Sequence, residues 1–217
     1  MTHHTTALFS PRLLPEHAMA VARLVCDDPD RDWRRARAHL TRHGLGDART
    51  PPTGATAPTR GDIDALIRRL QHLEAEDCLA YLATCDIPDA THLMWAAACH
   101  DNRIVADFAT DVLVDAWFIG HRVTTTEVDA FVDAHRDEFL LPKTSAVRDH
   151  LMALVRGAGL LATNGTVPTV TLSTGLRHLL TTTDFHTLLY FPTPYHLIFS
   201  SPIDASDGQP PTPPHAS

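Results

Sequence analysis

Lysine is almost missing from this sequence. Lys143 is the single one among 217 residues, and arginine carries the rest of the positive charge. There is no G-x-x-x-x-G-K-[ST], G-x-G-x-x-G or G-x-S-x-G stretch, which excludes a P-loop, a dinucleotide fingerprint and a nucleophile elbow. The four cysteines, Cys26, Cys78, Cys85 and Cys99, form no C-x-x-C pair. They read as reduced, mostly buried thiols of a cytoplasmic protein, not as a disulfide framework or a redox pair. No apolar run approaches the ~18 to 20 residues of a membrane span, and no signal peptide is evident. The fifteen histidines are scattered and contain no H-E-x-x-H. No spacing assembles a catalytic site, and no cofactor or metal is implied.

What is present is charge, unevenly distributed. The formal net charge is -8. Residues 31–69 hold nine Arg against Asp32, Asp47, Asp62 and Asp64, a net of +5. Residues 70–142 hold Arg103, Arg122 and Arg136 against fourteen acids, a net of -11. Residues 143–183 hold Lys143, Arg148, Arg156 and Arg177 against Asp149, a net of +3. Exposed charges are largely screened beyond a Debye length of ~8 Å, so a local patch matters more than the sum. Two basic islands therefore flank an acidic middle.

The hydrophobic pattern is helical. A helix is expected from Pro15 to about Cys26, with Met19, Ala22, Val25 and Cys26 on one face. A second, "RDWRRARAHLTRHG", has Trp33, Ala36 and Leu40 as its apolar stripe. The proline-rich "RTPPTGATAPT" is a loop. Ile63, Leu66, Ile67, Leu70 and Leu73 then recur at helical spacing, the strongest such signal in the chain. Helices follow at roughly 75–84, 89–100 and 102–119, the last burying Ile104, Val105, Phe108, Val112, Leu113 and Ala116 and closing at Gly120. "TTTEVDAFVDAHRDEF" opens a further helix, 125–138, with a capping box from Thr124 to Glu127.

Residues 143–173, KTSAVRDHLMALVRGAGLLATNGTVPTVTLS, place Val147, Leu151, Leu154, Val155 and Ala158 on a buried helical face. "LLAT", Asn164-Gly165 and "VPTVTL" then spell a β-hairpin, with Pro168 at its outer edge. The expected fold is mainly α, a bundle-like chain with a helix-turn-helix in its N-terminal half and a winged helix-turn-helix, with a small β-hairpin wing, in its C-terminal half. The expected organisation is a flexible N-terminus over 1–14, an N-terminal helical domain over 15–101, a C-terminal winged-helix domain over 102–195 and a disordered tail over 196–217.

"LMWAAACHDNRIVADFATDVLVDAWFIGHRVTTTEVDAFVDAH", followed by "LPKTSAVRDHLMALVRGAGLL", resembles the BrxA family of BREX phage-defence systems. The resemblance is carried by Trp95, Asp107-Phe108, Thr124 to Asp129 with Phe131, Ser145 with Arg148, and Ala158 to Leu161. "DWRRARAHLTRHGLGDART" with "RGDIDALIRRLQHL", and the closing "LRHLL" and "LLYFPT", extend it over about residues 15–195. It implies a non-enzymatic accessory subunit that binds double-stranded DNA, supporting restriction and methylation that other subunits carry out. Arg34, Arg35, Arg42, Arg49, Arg60, Lys143, Thr144, Ser145, Arg148 and Asn164 are the candidate DNA-binding residues, gripping phosphates with weak sequence preference. The acidic 70–142 region would meet other BREX subunits. The competing readings are a protein-interaction scaffold and a winged-helix transcriptional regulator.

On this reading Lys143→Ala combined with Arg148→Ala is expected to weaken duplex binding without unfolding the chain, measured by fluorescence anisotropy alongside circular dichroism. Unchanged binding would move the site to the N-terminal arginines.

Overall fold

Asp86 accepts the backbone N–H of Asp89 at 2.9 Å and Pro88 sits in the first turn, a helix start for which no N–H donor is needed from proline. The helix that begins here, α5 (Ile87–Asp101), has no polar face over most of its length. Ala90, Leu93, Met94, Trp95, Ala96, Ala97, Ala98 and Cys99 are all buried. A helix apolar all round must be surrounded, and in this computed structural model, which describes residues 10–28, 30, 32–43, 58–73, 76–141 and 144–194, the other elements supply that surround.

α1 (Pro15–Asp27), α2 (Trp33–His43), α3 (Arg60–His72) and α4 (Glu76–Thr84) precede it. α6 (Arg103–Phe108) continues through a π-helical segment, Ala109–Val114, into α7 (Asp115–Ile119). α8 (Thr125–Ala134), α9 (Arg136–Phe139), α10 (Thr144–Gly157), α11 (Thr174–Thr183) and a 3-10 segment, Phe185–Tyr190, complete the order. α1, α3, α4, α6, α10 and the 3-10 segment all pack on α5. The Trp95 indole donates to the Tyr190 carbonyl at 3.1 Å, so the largest buried side chain also has its polar atom satisfied. One hydrophobic core runs from Leu13 to Phe191.

The expected apolar faces are the buried ones: Ile63, Leu66, Ile67, Leu70 and Leu73 in and just beyond α3, the six positions of 102–119, and Val147, Leu151, Leu154, Val155 and Ala158 along α10. Cys26, expected on the inner face of α1, is exposed. The capping box at Thr124 and Glu127 forms, and Gly120 ends α7 in the left-handed region at φ 78°. The helix expected over 125–138 is interrupted at His135, which separates α8 from α9.

Residues 10–14, within the segment expected to be flexible, are tied down by α3. The buried Arg69 guanidinium donates to the carbonyls of Ser10 and Arg12, each at 2.7 Å. Burial pushes its pKa down to about 10, which leaves it charged at neutral pH. The Ser10 hydroxyl donates to Asp62 at 2.6 Å, and the Thr59 N–H and hydroxyl donate to the same carboxylate, each at 2.9 Å. Burial pushes Asp62 up, but these hydrogen bonds and the nearby Arg12 outweigh it and hold the carboxyl below the usual range.

The β-hairpin wing does not form. Among the described residues there is no strand. Asn164-Gly165 does make a turn: Gly165 donates to Ala162 at 3.0 Å, Ala162 donates to Thr166 at 2.9 Å, and the Asn164 side chain accepts from the Thr166 N–H at 3.0 Å. The ladder stops there because the would-be second strand finds other partners. Pro168 has no N–H to give and Val170 donates to the Pro192 carbonyl at 2.9 Å, while the Thr169 hydroxyl accepts from the Trp117 indole at 2.9 Å and holds the segment against α7. The turn itself is docked on the chain before α8, with Val123 donating to the Gly165 carbonyl at 2.9 Å. The C-terminal half is therefore a helical unit with a docked turn and is not a winged helix.

Gly165 has φ 83°, and a Cβ there would lie 2.5 Å from the Val123 carbonyl oxygen. Gly165→Ala combines left-handed backbone strain with a backbone clash. It is expected to cost at least ~2 kcal/mol, a fall in Tm of about 4 to 8 °C by thermal melt.

Candidate nucleic-acid interface

Helix α2 turns Ala36 and Leu40 into the core and leaves Arg34, Arg35 and Arg37 on its outer side. Its first turn is closed by Asp32, whose carboxylate accepts the N–H groups of Arg34 at 2.9 Å and Arg35 at 3.3 Å. Arg34 is exposed and has no ion pair among the described residues. Arg35, 80% exposed, lies 3.6 Å from Asp28, a contact too long and too solvated to hold it. Arg37 is engaged by Asp64 of α3. α2 packs on α3, whose first residue, Arg60, is exposed with no ion pair among the described residues. Of the remaining N-terminal candidates, the Arg42 side chain and Arg49 lie outside the described residues.

The C-terminal candidates are arranged differently. Arg148 on α10 reaches both carboxylate oxygens of Asp129 on α8, at 3.1 and 2.9 Å, and also Asp149 at 3.0 Å. Its hydrogen bonds to Asp149 and Asp129 raise its pKa. The guanidinium clamps α10 to α8, and two carboxylates neutralise the charge expected to meet phosphate. The Thr144 hydroxyl donates to Asp133 at 2.7 Å and accepts from Arg136, which itself pairs with Asp133 at 2.7 Å. Ser145 is exposed, Lys143 lies outside the described residues, and Asn164 is exposed at the tip of its turn. The outer surface of α8–α10 thus carries Asp129, Asp133, Asp137, Glu138 and Asp149 around its arginines.

Arg156, whose spacing along α10 turns it away from the buried face together with Lys143 and Arg148, and Arg122, which the residue pattern did not single out, are exposed without an ion pair among the described residues. A signal for them is in the sequence: residues 116–126 and 150–183 contain no Asp or Glu at all.

Among the described residues no group of three His, Cys, Asp or Glu side chains could hold a metal ion. Burial pushes the Cys85 thiol up to about 11, away from thiolate reactivity. No helix among the described residues is long and apolar enough to cross a membrane.

A family model described as BrxA matches residues 4–184. No curated protein matches. The chain is similar in structure to an uncharacterized protein from Magnetospirillum magneticum, solved by crystallography, with a TM-score of 0.65 at 13% identity over 86% of this chain and 98% of that one. At that identity the likeness concerns the fold.

The Arg148–Asp129 pair gives a further expectation. Arg148→Ala and Asp129→Ala each lower the Tm, and the double variant loses less than the sum of the two, a coupling that a double-mutant cycle detects. Lys143→Ala with Arg148→Ala accordingly removes a helix clamp as well as charge.

Proposed function

Starting from the fact that the chain belongs to the BrxA family, and is thereby a component of a BREX phage-defence system, we propose that it serves that system as a non-enzymatic subunit that binds double-stranded DNA. The observation that carries the reading is the α2–α3 surface. Arg34, Arg35 and Arg60 are exposed there and held by no strong ion pair among the described residues, while the C-terminal Arg148 is consumed by Asp129 and Asp149. An unengaged guanidinium condenses on phosphate and releases counterions, whereas an engaged one must first break its own ion pairs.

Contacts of this kind carry little sequence information, so the binding is weakly sequence-specific and positions the complex on duplex DNA without selecting a site. Restriction or modification chemistry then falls to other subunits. The acidic side formed by α8 and α9, where Asp133 pairs with Arg136, Glu138 pairs with Arg103 at 3.2 Å and Asp137 is exposed, favours a second role as the surface that meets those subunits.

Titration of unrelated duplexes at two salt concentrations tests the reading. Wild-type affinity is expected to fall steeply with salt. The triple variant Arg34→Ala, Arg35→Ala, Arg60→Ala should lower the magnitude of the log–log slope by up to about 3, at ~0.9 per phosphate contact. No affinity at low salt, or affinity indifferent to salt, would sink it.

A further inference from the structure

Phe118 and Ile119 end α7 side by side and are the most exposed large apolar side chains of the described residues, at 73% and 71%. The other exposed ones, Leu24, Ile87, Leu140 and Leu189, stand singly along the chain. Single apolar side chains are ordinary on a protein surface, whereas an adjacent pair calls for an occupant. The pair sits on a fixed corner: Gly120 turns the chain at φ 78°, and the N–H groups of Gly120 and His121 both donate to the Ala116 carbonyl. Charge around that corner nearly cancels. The exposed Arg122 is offset by the exposed Asp115 and by Glu127, which lies 2.9 Å from His121. A polyanion would meet both carboxylates, and an uncharged apolar segment meets no such penalty.

The described chain ends close to this corner. The 3-10 segment Phe185–Tyr190 packs on the π-helical Ala109–Val114, which leads directly into α7. Phe191 and Thr193 are buried, the Thr193 N–H donates to the Phe191 carbonyl at 2.8 Å, and the Pro192 carbonyl accepts from Val170 at 2.9 Å. Thr169, the residue before Val170, accepts from the indole of Trp117 at 2.9 Å, and Trp117 is the residue before Phe118. Two hydrogen bonds and one peptide step of ~3.8 Å therefore connect the anchored chain end to the foot of the apolar pair. The next residues in the sequence are Tyr195, His196, Leu197, Ile198 and Phe199, and residues 185–203 contain no Asp, Glu, Lys or Arg at all. Fully extended, residues 194–199 span up to ~20 Å, ample for a return to α7.

We infer that Leu197, Ile198 and Phe199 fold back over the end of α7 and cover Phe118 and Ile119, as a C-terminal strap rooted at Pro192. The receiving corner is already ordered, so only the strap loses conformational freedom when apolar surface on both sides leaves water. The short tether makes the encounter intramolecular, with an effective concentration that a separate partner does not reach. Left apart, the pair and the apolar segment would each be open to association with other copies of the chain. The strap is independent of the DNA-binding reading and fails or stands without it.

The experiment uses the full-length chain with the photo-cross-linking amino acid p-benzoylphenylalanine in place of Leu197. Irradiation of dilute protein is expected to give a cross-link within one chain, mapped by mass spectrometry to residues 116–122. Phe118→Asp with Ile119→Asp, at positions too exposed to disturb folding, should remove it. Without the cross-linker, Leu197→Asp with Phe199→Asp should raise the fluorescence of anilinonaphthalene sulfonate severalfold and lower the Tm by about 2 to 4 °C. Adding Phe118→Asp and Ile119→Asp to that variant should return the dye signal to the wild-type level. A cross-link to another part of the chain, a cross-link only between copies, or no cross-link overturns the strap. So does a Leu197→Asp, Phe199→Asp variant whose dye fluorescence and Tm match the wild type.

Discussion

A helix with no polar face leaves its neighbours little freedom. α5 buries Ala90, Leu93, Met94 and Trp95 to Cys99 at once, so elements from both halves of the chain must close around it. Its ends carry the polar side chains that hold them in place. Near the N-terminal end the buried Asp89 accepts the Tyr81 hydroxyl of α4 and, at 2.6 Å, the Ser173 hydroxyl that also caps α11. At the C-terminal end Asp101, whose side chain is 2% exposed, receives Arg68 and lies 3.6 Å from His72, both on α3. Buried carboxylates are costly unless hydrogen-bonded, so each one selects the neighbour that can donate. Apolar burial drives the association, and the buried acids fix which helix goes where.

The same pairing logic separates the two basic islands. In the C-terminal half, acids 19 positions away and one position away close on Arg148, and Asp133 closes on Arg136. In the N-terminal half, Arg34 and Arg60 meet no carboxylate among the described residues, and Arg35 meets one only at 3.6 Å. Arginines of similar sequence prominence thus end with different chemistry. A guanidinium saturated by carboxylates adds little field outside the protein, whereas an exposed one keeps its full attraction for a polyanion. The overall charge of -8 says nothing about this, because it sums over groups that are screened from one another.

Much of the helical architecture was legible in the residues. Periodicity placed the buried faces of α3, the 102–119 helix and α10, and local chemistry placed the Thr124–Glu127 cap and the Gly120 stop. The hairpin was misread although its turn is real. Asn-Gly specifies a reversal, but a ladder also needs the second segment's backbone to be free to pair, and Val170 gives its N–H to the Pro192 carbonyl while Pro168 has none to give. The π-helical segment at Ala109–Val114 and the break at His135 likewise carry no strong residue signature. Of the candidate site, the arginine positions were legible and their engagement was not. Arg122 lies in a segment that is acidic by count, and the short run 116–126 without Asp or Glu was the one sequence signal for it.

The sequence by itself determined most of the inward faces, the Thr124–Glu127 cap, the Gly120 stop and the family to which the chain belongs, because these are written in neighbours a few positions apart. Only the tertiary structure decided which charges remain free, that the Asn164-Gly165 turn docks on the chain before α8 without opening a wing, and which apolar residues stay uncovered. Those outcomes depend on contacts between distant residues, Arg148 with Asp129, Val170 with Pro192, Val123 with Gly165, and a hydrogen bond or ion pair goes to whichever partner the packed core brings within reach.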